Sequence, residues 1–443
     1  MEQFEHTEDY SYGVINIAGA STAFTSMNPK DVTRGTTAVE KTSGSSPISY
    51  WGEENDFPQL VIADVRTNTK LGTLLDLKAK LLYSGGLMFG TITPGPNGQE
   101  SMAPLDATRH AKIKDFFRKT NINRYLIEAS KDLYYFRNVF PEIILNRERS
   151  EILQLAVVAA EQCRYAKQNP ATGLIDKCYI SANWPSAKET DSLTKELPVL
   201  DPYYDPSATL MSNKGSTNYI YPLSYPSPGN VYYQLADWNS IRESGWLDVA
   251  KAIPKFKKAL LENQLTIKYH IEISNQYWEW KYSNWSTLKA EDRIKIKEAE
   301  MKKFSDVMSG IEKSGNSFYS SFKSDPTTGK DYPGWKITAI DDKIKDGKFI
   351  EDGKESSSYI DAAVGVHPAL TGMTTNSGLG GAGSNIREAY NLHVLTSTSE
   401  QDMILEPLYL IRDFNKWGPD VEFRFKNSFM TTLDKGKETT PTN

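Results

Sequence analysis

Cysteine is nearly absent from this chain. Its 443 residues hold only Cys163 and Cys178, too few for a disulfide framework. The pair reads as two reduced, partly buried thiols, with a bridge closing a hairpin around Pro170 and Gly173 as the alternative. Histidine is scarce as well. His6, His110, His270, His367 and His393 are scattered, no Cys/His spacing suits zinc, and no metal site is expected. No run of about 18 apolar residues occurs, so no membrane-spanning helix is expected. The segment from Met1 to Gly13 is acidic and lacks the apolar stretch of a signal peptide, so a soluble, cytosolic chain is expected. There is no G-x-x-x-x-G-K-[ST] phosphate loop and no Ser-His-Asp or Cys-His set in a familiar local context. The acid pairs Glu53-Glu54 and Asp341-Asp342 stand without partner motifs. No catalytic residue and no cofactor is therefore assigned, and the chain reads as a non-enzyme. A basic excess is missing too: the net charge of -5 disfavours tight, sequence-reading contact with nucleic acid but leaves loose, sliding contact open.

What is present is an ordinary globular composition, 39% hydrophobic and 24% charged. At roughly 100–200 residues per domain, the length suggests two to four folding units. Residues 1–50, rich in Ser, Thr and Gly, read as a flexible arm, and globular structure starts at Tyr50-Trp51-Gly52. A helix is predicted after Pro58 from the spacing of Leu71, Leu74, Leu75, Lys78, Leu81 and Leu82, stopped by Ser84-Gly85-Gly86. Another stretch of helix is predicted from Leu105 through Ile113, Phe116 and Phe117 to Tyr134. Strands follow at Pro141–Leu145. A hairpin pairs Cys163–Ala166 with Lys177–Ile180 about Asn169-Pro170-Ala171-Thr172-Gly173. Residues 197–235 read as irregular strands and loops.

Two long helical patterns come next. Trp246, Val249, Ile253, Phe256 and Leu260 mark the first, which contains Pro254, a helix-interior residue that costs about 3 kcal/mol. Ile294, Met301, Phe304, Met308 and Ile311 mark the second. Between them, 265–287 carries strand-forming residues and the aromatics Tyr277, Trp278, Trp280, Tyr282 and Trp285. Residues 334–361 read as short strands and 365–384 as a Gly/Thr/Ser-rich loop. A single helix is predicted from about Asn385 to Lys416, interrupted at Pro407, with Asn385 as N-cap and Glu388 as its capping-box partner. The polar tail Glu438–Asn443 is expected to be disordered. The fold class is α+β.

Three constellations bear on function. Gly378-Leu379-Gly380-Gly381-Ala382-Gly383 matches G-x-G-x-x-G, with Glu400 and Asp402 near the offset of a ribose-binding acid. A dinucleotide site needs a strand feeding the first glycine, whereas Thr371–Ser377 is a loop, so a glycine loop leading into a capped helix is the better reading. The aromatic cluster suits either base stacking or a protein interface, and the interface is preferred. Residues 251–313 hold 13 Lys/Arg against 9 Asp/Glu. That weak positive band would face phosphate, or it is the solvated or ion-paired face of two helices; composition alone favours the latter.

Three stretches share a collinear order. Asn55-Asp56-Phe57-Pro58-Gln59-Leu60 leads into a Leu-rich helix ending Leu81-Leu82-Tyr83-Ser84-Gly85-Gly86-Leu87. Residues 246–314 read helix, short strand segment, helix. Gly365-Val366-His367-Pro368-Ala369-Leu370-Thr371-Gly372 precedes the glycine loop and then Gly383-Ser384-Asn385-Ile386-Arg387-Glu388-Ala389, with Glu406-Pro407 further on. From about residue 50 onward this order resembles tailed-bacteriophage portal proteins, the head-to-tail connector subunits, of the type found in phages of Bacteroidetes hosts. His367 stands where such proteins often have Pro, and the segment after Trp417 is short.

The resemblance implies a portal fold with a wing (51–245 and 315–364), stem helices (246–264 and 288–314), a small α/β clip (265–287), a tunnel loop (365–384), a long wing helix (385–417) and a short C-terminal segment and tail (418–443). It implies a homo-oligomeric ring of about twelve subunits, a dodecamer at a capsid vertex of the virion, assembled in the host cytoplasm, for DNA packaging and genome ejection. Its partners would be non-specifically held double-stranded DNA, the terminase large subunit, the major capsid protein and a tail adaptor, with no membrane. The tunnel loop would present Thr374, Thr375, Asn376, Ser377, Gly378, Gly380, Gly381, Gly383, Ser384 and Asn385 to DNA. Lys289, Arg293, Lys297 and Lys303 would be the basic residues of the stem. Tyr277, Trp278, Trp280 and Trp285 would form the clip interface. The rival readings are another head-tail connector or minor capsid structural protein, an enzyme holding a nucleotide at the glycine loop, and a single-strand-binding module.

Overall fold

The structure is a computed structural model that describes residues 3–6, 12–17, 20–25, 46–95, 100–263, 269–308, 323–324, 327, 331–332, 334–339, 346–371 and 383–430. It divides into two compact units, one of 1–252 with 352–443 and one of 253–351.

In the first unit, β1 (Gln3–His6), β2 (Tyr12–Ile17) and β3 (Ala20–Thr25) form an antiparallel sheet, so regular structure is present within the segment 1–50 that reads from the sequence as a flexible arm. Helices α1 (Phe57–Thr67) and α2 (Thr69–Tyr83) follow. They are separate because Asn68 accepts from the amides of Lys70 and Leu71 and so starts α2 as its N-cap. Ser84, at φ 47°, and Gly86, at φ 86°, end it. Strands β4 (Leu87–Pro94) and β5 (Glu100–Ala103) pair antiparallel. The stretch predicted as helix from Leu105 to Tyr134 is two helices, α3 (Ala107–Thr120) and α4 (Ile122–Phe136), broken where Asn121 turns left-handed at φ 52°.

Next come β6 (Asn138–Leu145), β7 (Ile152–Val158), β8 (Cys163–Tyr165), β9 (Lys177–Ile180) and β10 (Lys195–Pro198). The predicted hairpin forms, with Cys163 opposite Ile180 and Tyr165 opposite Cys178. Both cysteines are buried and unbridged. In the segment read as irregular, a helix α5 (Pro206–Ser212) is capped by Asp205, and β11 (Asn218–Ile220) and β12 (Leu223–Ser224) both pair with β6. Helix α6 (Ser240–Glu243) leads to α7 (Trp246–Asn263), which contains Pro254.

The core of this unit is built by α2 (Leu71, Leu74, Leu75, Leu82), α4 (Tyr125, Leu126, Leu133) and the sheet residues Phe140 and Ile143, closed by residues far along the chain. The buried positions of α4 recur three and four apart, the stripe expected of a helix with one wet face.

The second unit holds β13 (Tyr269–Ile273), α8 (Asn275–Lys281), α9 (Ala290–Met308), β14 (Lys323–Ser324), β15 (Asp331–Tyr332) and β16 (Trp335–Ala339). β13 and β16 pair antiparallel, Tyr269 opposite Ala339 and Ile273 opposite Trp335. Within 265–287 the strand expectation holds for β13 only. The aromatic run is split: Tyr277, Trp278 and Trp280 lie on α8, Tyr282 ends that helix in extended backbone, and Trp285 opens a separate single turn, Trp285–Thr287, that returns its ring to the same cluster.

The chain returns through α10 (Asp346–Val364) and α11 (Pro368–Thr371). Among the described residues of 334–361, the short strands expected there are limited to β16. Ser356, Ile360 and Val364 form a buried four-residue repeat, and a serine in that stripe hides the helix from an apolar count. The single helix expected from Asn385 to Lys416 is two: α12 (Gly383–Thr396) and α13 (Thr398–Phe414). The break falls at buried Ser397, whose hydroxyl donates to the His393 carbonyl at 2.7 Å, while Pro407 lies inside α13. Asn385 sits within the first turn of α12, two residues after its start, and is not its N-cap. Finally β17 (Glu422–Phe425) pairs with β4.

Candidate functional site

The second unit is organised by its aromatics. Trp278 and Trp285 stack at 5.4 Å and 19° between planes, and Tyr277 meets Trp278, Trp280 and Trp335 edge-on at 5.2, 5.2 and 6.2 Å. Phe304 of α9 packs on Trp335 at 5.4 Å. Tyr277, Trp278, Trp285, Phe304 and Trp335 are all buried, with Ile271, Ile273, Ile296 and Ile337 packed around them. Of the four residues expected at an outer interface, Tyr277, Trp278 and Trp285 are buried in the unit's own core. Trp280 stays half-exposed, and its indole nitrogen has no hydrogen-bond partner among the described residues.

The basic residues expected on the stem are sorted by the same core. Arg293 lies over Trp285 at 5.7 Å and donates to the Ser286 carbonyl at 2.9 Å. Lys297 lies over both Trp278 and Trp285, at 5.8 and 5.9 Å. Lys289 and Lys303 are exposed, Lys303 standing 3.6 Å from Glu300. Glu300 also holds Lys281 at 2.9 Å and accepts from the Tyr282 hydroxyl at 3.1 Å. The packed stripe of α9 runs through Arg293, Ile296, Glu300 and Phe304, so Ile294 and Met301, expected on the apolar face, are turned out at 55% and 38% exposure.

Thr374, Thr375, Asn376, Ser377, Gly378, Gly380 and Gly381 of the glycine loop lie outside the described residues. Gly383, Ser384 and Asn385 form the exposed first turn of α12. Beneath that helix is a buried polar cluster that the sequence reasoning missed as a functional feature. His393 is buried beside Lys78 and Glu400, and its ring nitrogen stands 3.3 Å from the Ser397 hydroxyl. Burial first, then the nearby Lys78 charge, lowers its pKa to about 4. Lys78 donates to the Val364 carbonyl at 3.0 Å, and burial pulls its pKa below the usual lysine value. Arg137, left-handed at φ 57°, donates to Asp237 at 2.9 Å and to Glu400 at 3.4 Å, and lies over Tyr225 at 4.4 Å. These contacts tie α2, α4, α12 and α13 together. The available signal was Lys78, a cation set in the apolar repeat of α2.

A cleft of about 620 Å³ in the first unit is lined by Tyr165, Ile175, Asp201, Tyr203, Tyr232 and Glu406 among others. Among the described residues no Lys or Arg lines it, and a phosphate would find no counter-charge in those that do. Among the described residues no group of His, Cys, Asp and Glu is placed to hold a metal ion, and no helix is long and apolar enough to cross a membrane.

No family model matches the chain, and no curated protein matches it. Solved structures do. A chain in the neck of an empty GTA particle computed with C6 symmetry aligns at a TM-score of 0.52 and 13% identity, over 87% of this chain and 87% of that one. A chain in the neck of a native GTA particle computed with C12 symmetry gives 0.52 and 15%, over 86% of each. A chain in the virion of a native gene transfer agent particle gives 0.53 and 14%, over 87% of each. At these identities the likeness is one of fold, and the chain has the α+β fold of a protein found in the neck of gene transfer agent particles.

Proposed function

We propose that this chain is a portal subunit of a tailed-phage-type particle, forming a ring at a capsid vertex through which double-stranded DNA is packaged and later ejected. The observation that carries the reading is the fold likeness, over 86% of both chains, to a chain in the neck of a native GTA particle, a neck computed with C12 symmetry. A symmetric neck is built by repeating one heterologous contact until it closes. In this reading α7 and α9 are the stem, α8 with β13 the clip, and the segment between α11 and α12 the tunnel loop; β16, in the stretch the resemblance assigns to the wing, pairs with β13. The contact with DNA is electrostatic and sequence-blind, and weak enough to let the duplex slide, which suits a chain of net charge -5. Lys289 and Lys303 are exposed, as are Lys295, Lys297 and Lys302 of α9 and Lys255 and Lys258 of α7, so the stem offers several cations for it. Trp280 is the clip aromatic left for docking to the terminase motor and afterwards to a tail adaptor, and the first unit faces the major capsid protein. The chain catalyses nothing in this scheme, and ATP hydrolysis belongs to the motor.

The test is microscopy of the purified protein with light scattering. Twelve chains of 49.8 kDa give about 600 kDa, and averaged end views should show rings of that symmetry. A protein that remains monomeric at micromolar concentration overturns the reading. Rings whose axis is lined by elements other than α7 and α9 transfer the chain to another connector or minor capsid role.

A further inference from the structure

Helix α12 turns two leucines to solvent: Leu392 is 59% and Leu395 61% exposed. Three residues apart, they share one face of the helix. The chain after β17 runs along its flank. Gln401 donates to the Asn427 side chain at 2.9 Å, and Asn391 brackets Met430, donating to its carbonyl at 3.2 Å and accepting from its amide at 3.0 Å. Pinned at both ends, this strap holds Phe429 (54% exposed) and Met430 (46% exposed) beside α12. Scattered apolar residues on a surface need no account, but four gathered on one braced helix and its strap mark a contact site.

The chemistry of the face narrows its occupant. Glu388 is the only charged residue among the exposed positions of α12, so the face lacks the cations of a lipid- or nucleic-acid-binding surface. The chain's own neighbouring segments are poor in matching groups. Residues 431–443 contain Leu433 as their only large apolar side chain, and 372–382 contain only Met373 and Leu379. A repeated contact between identical chains needs a patch of this kind on each subunit.

We propose that Leu392, Leu395, Phe429 and Met430 form the patch by which one copy of this chain seats on the next. The proposal rests on the ring reading and assigns a surface to it. The patch meets a different surface of the neighbour, so each subunit uses it once. Its place on α12 couples the helix that leaves the glycine loop to the adjoining subunit.

The test combines Leu392→Asp with Leu395→Asp in the full chain, followed by size-exclusion with light scattering. The wild type should elute as rings. The double variant, with unchanged circular dichroism because both side chains are exposed, should be monomeric where the wild type is fully assembled, a weakening of association of at least about tenfold. Rings at wild-type concentration overturn the proposal. Hydroxyl-radical footprinting of the wild type gives a readout free of substitution: Met430 oxidation should fall several-fold on assembly, and an unchanged rate overturns the patch even if the variant misfolds. If truncation after Met430 removes that protection while rings persist, the chain's own C-terminus is the cover and the proposal fails. A wild type that never assembles defeats the ring reading itself, a result distinct from rings that ignore the patch.

Discussion

Replacing Asn55 with Ala removes the keystone of the first sequence motif. Arg164 is fully buried and, among the described residues, has no carboxylate partner in its hydrogen bonds. Its Nε donates to the Asn55 side-chain oxygen at 2.6 Å and its Nη2 to the Asn55 carbonyl at 2.9 Å, and the guanidinium lies between Trp51 and Trp184, 5.6 and 5.4 Å from their rings. Burial pulls its pKa down from the usual guanidinium value. The same Asn55 oxygen accepts from the Trp51 amide at 3.1 Å. Losing it strips one charge-assisted bond, about 1.5–3 kcal/mol, and one neutral bond, about 1 kcal/mol. Asn55 is also left-handed at φ 58°, which costs Ala about 1 kcal/mol more than Asn. Asn55→Ala should therefore lower the unfolding free energy by about 3–5 kcal/mol, read as a fall in the denaturation midpoint at unchanged slope. Asn55→Gly, which loses the bonds but not the backbone fit, should cost about 1 kcal/mol less. Asn55→Asp should recover most of the loss by facing Arg164 with a carboxylate. A loss under about 1 kcal/mol for Ala would refute the reasoning.

Two further outcomes follow from the same kind of argument. Trp278→Ala empties the centre of the second unit's core and should destabilise that unit by about 3–5 kcal/mol, opening it to limited proteolysis; resistance equal to that of the wild type contradicts its assignment as core. His393, buried against Lys78 and Glu400 with a pKa lowered to about 4, takes up its proton in the unfolded chain first. The stability it contributes is intact above pH 6.5 and is lost as the pH falls from there to 4. Denaturation midpoints measured from pH 7.5 to 4 should show this slope, and His393→Asn should flatten it.

Local chemistry was legible in the sequence. Ser84-Gly85-Gly86 stops α2 because only a left-handed turn follows there, and Asn169-Pro170 with Gly173 sets the β8–β9 hairpin because few residue types make that turn. The α+β class and the two helices that flank a small aromatic segment in the chain were readable for the same reason: periodicity and punctuation act over ten residues or fewer. Partnership over long distances was not. Whether the Tyr277 ring faces out or in depends on β16, about sixty residues later, supplying Trp335 to pack on. The break at Ser397 rather than Pro407 depends on a buried hydroxyl finding the His393 carbonyl. Arg164 became a buried structural cation only because Asn55 and Gln59, over a hundred residues earlier, bring it neutral acceptors. A side chain's character is written in its own residue, while its burial is decided by whichever surface the folded chain brings against it.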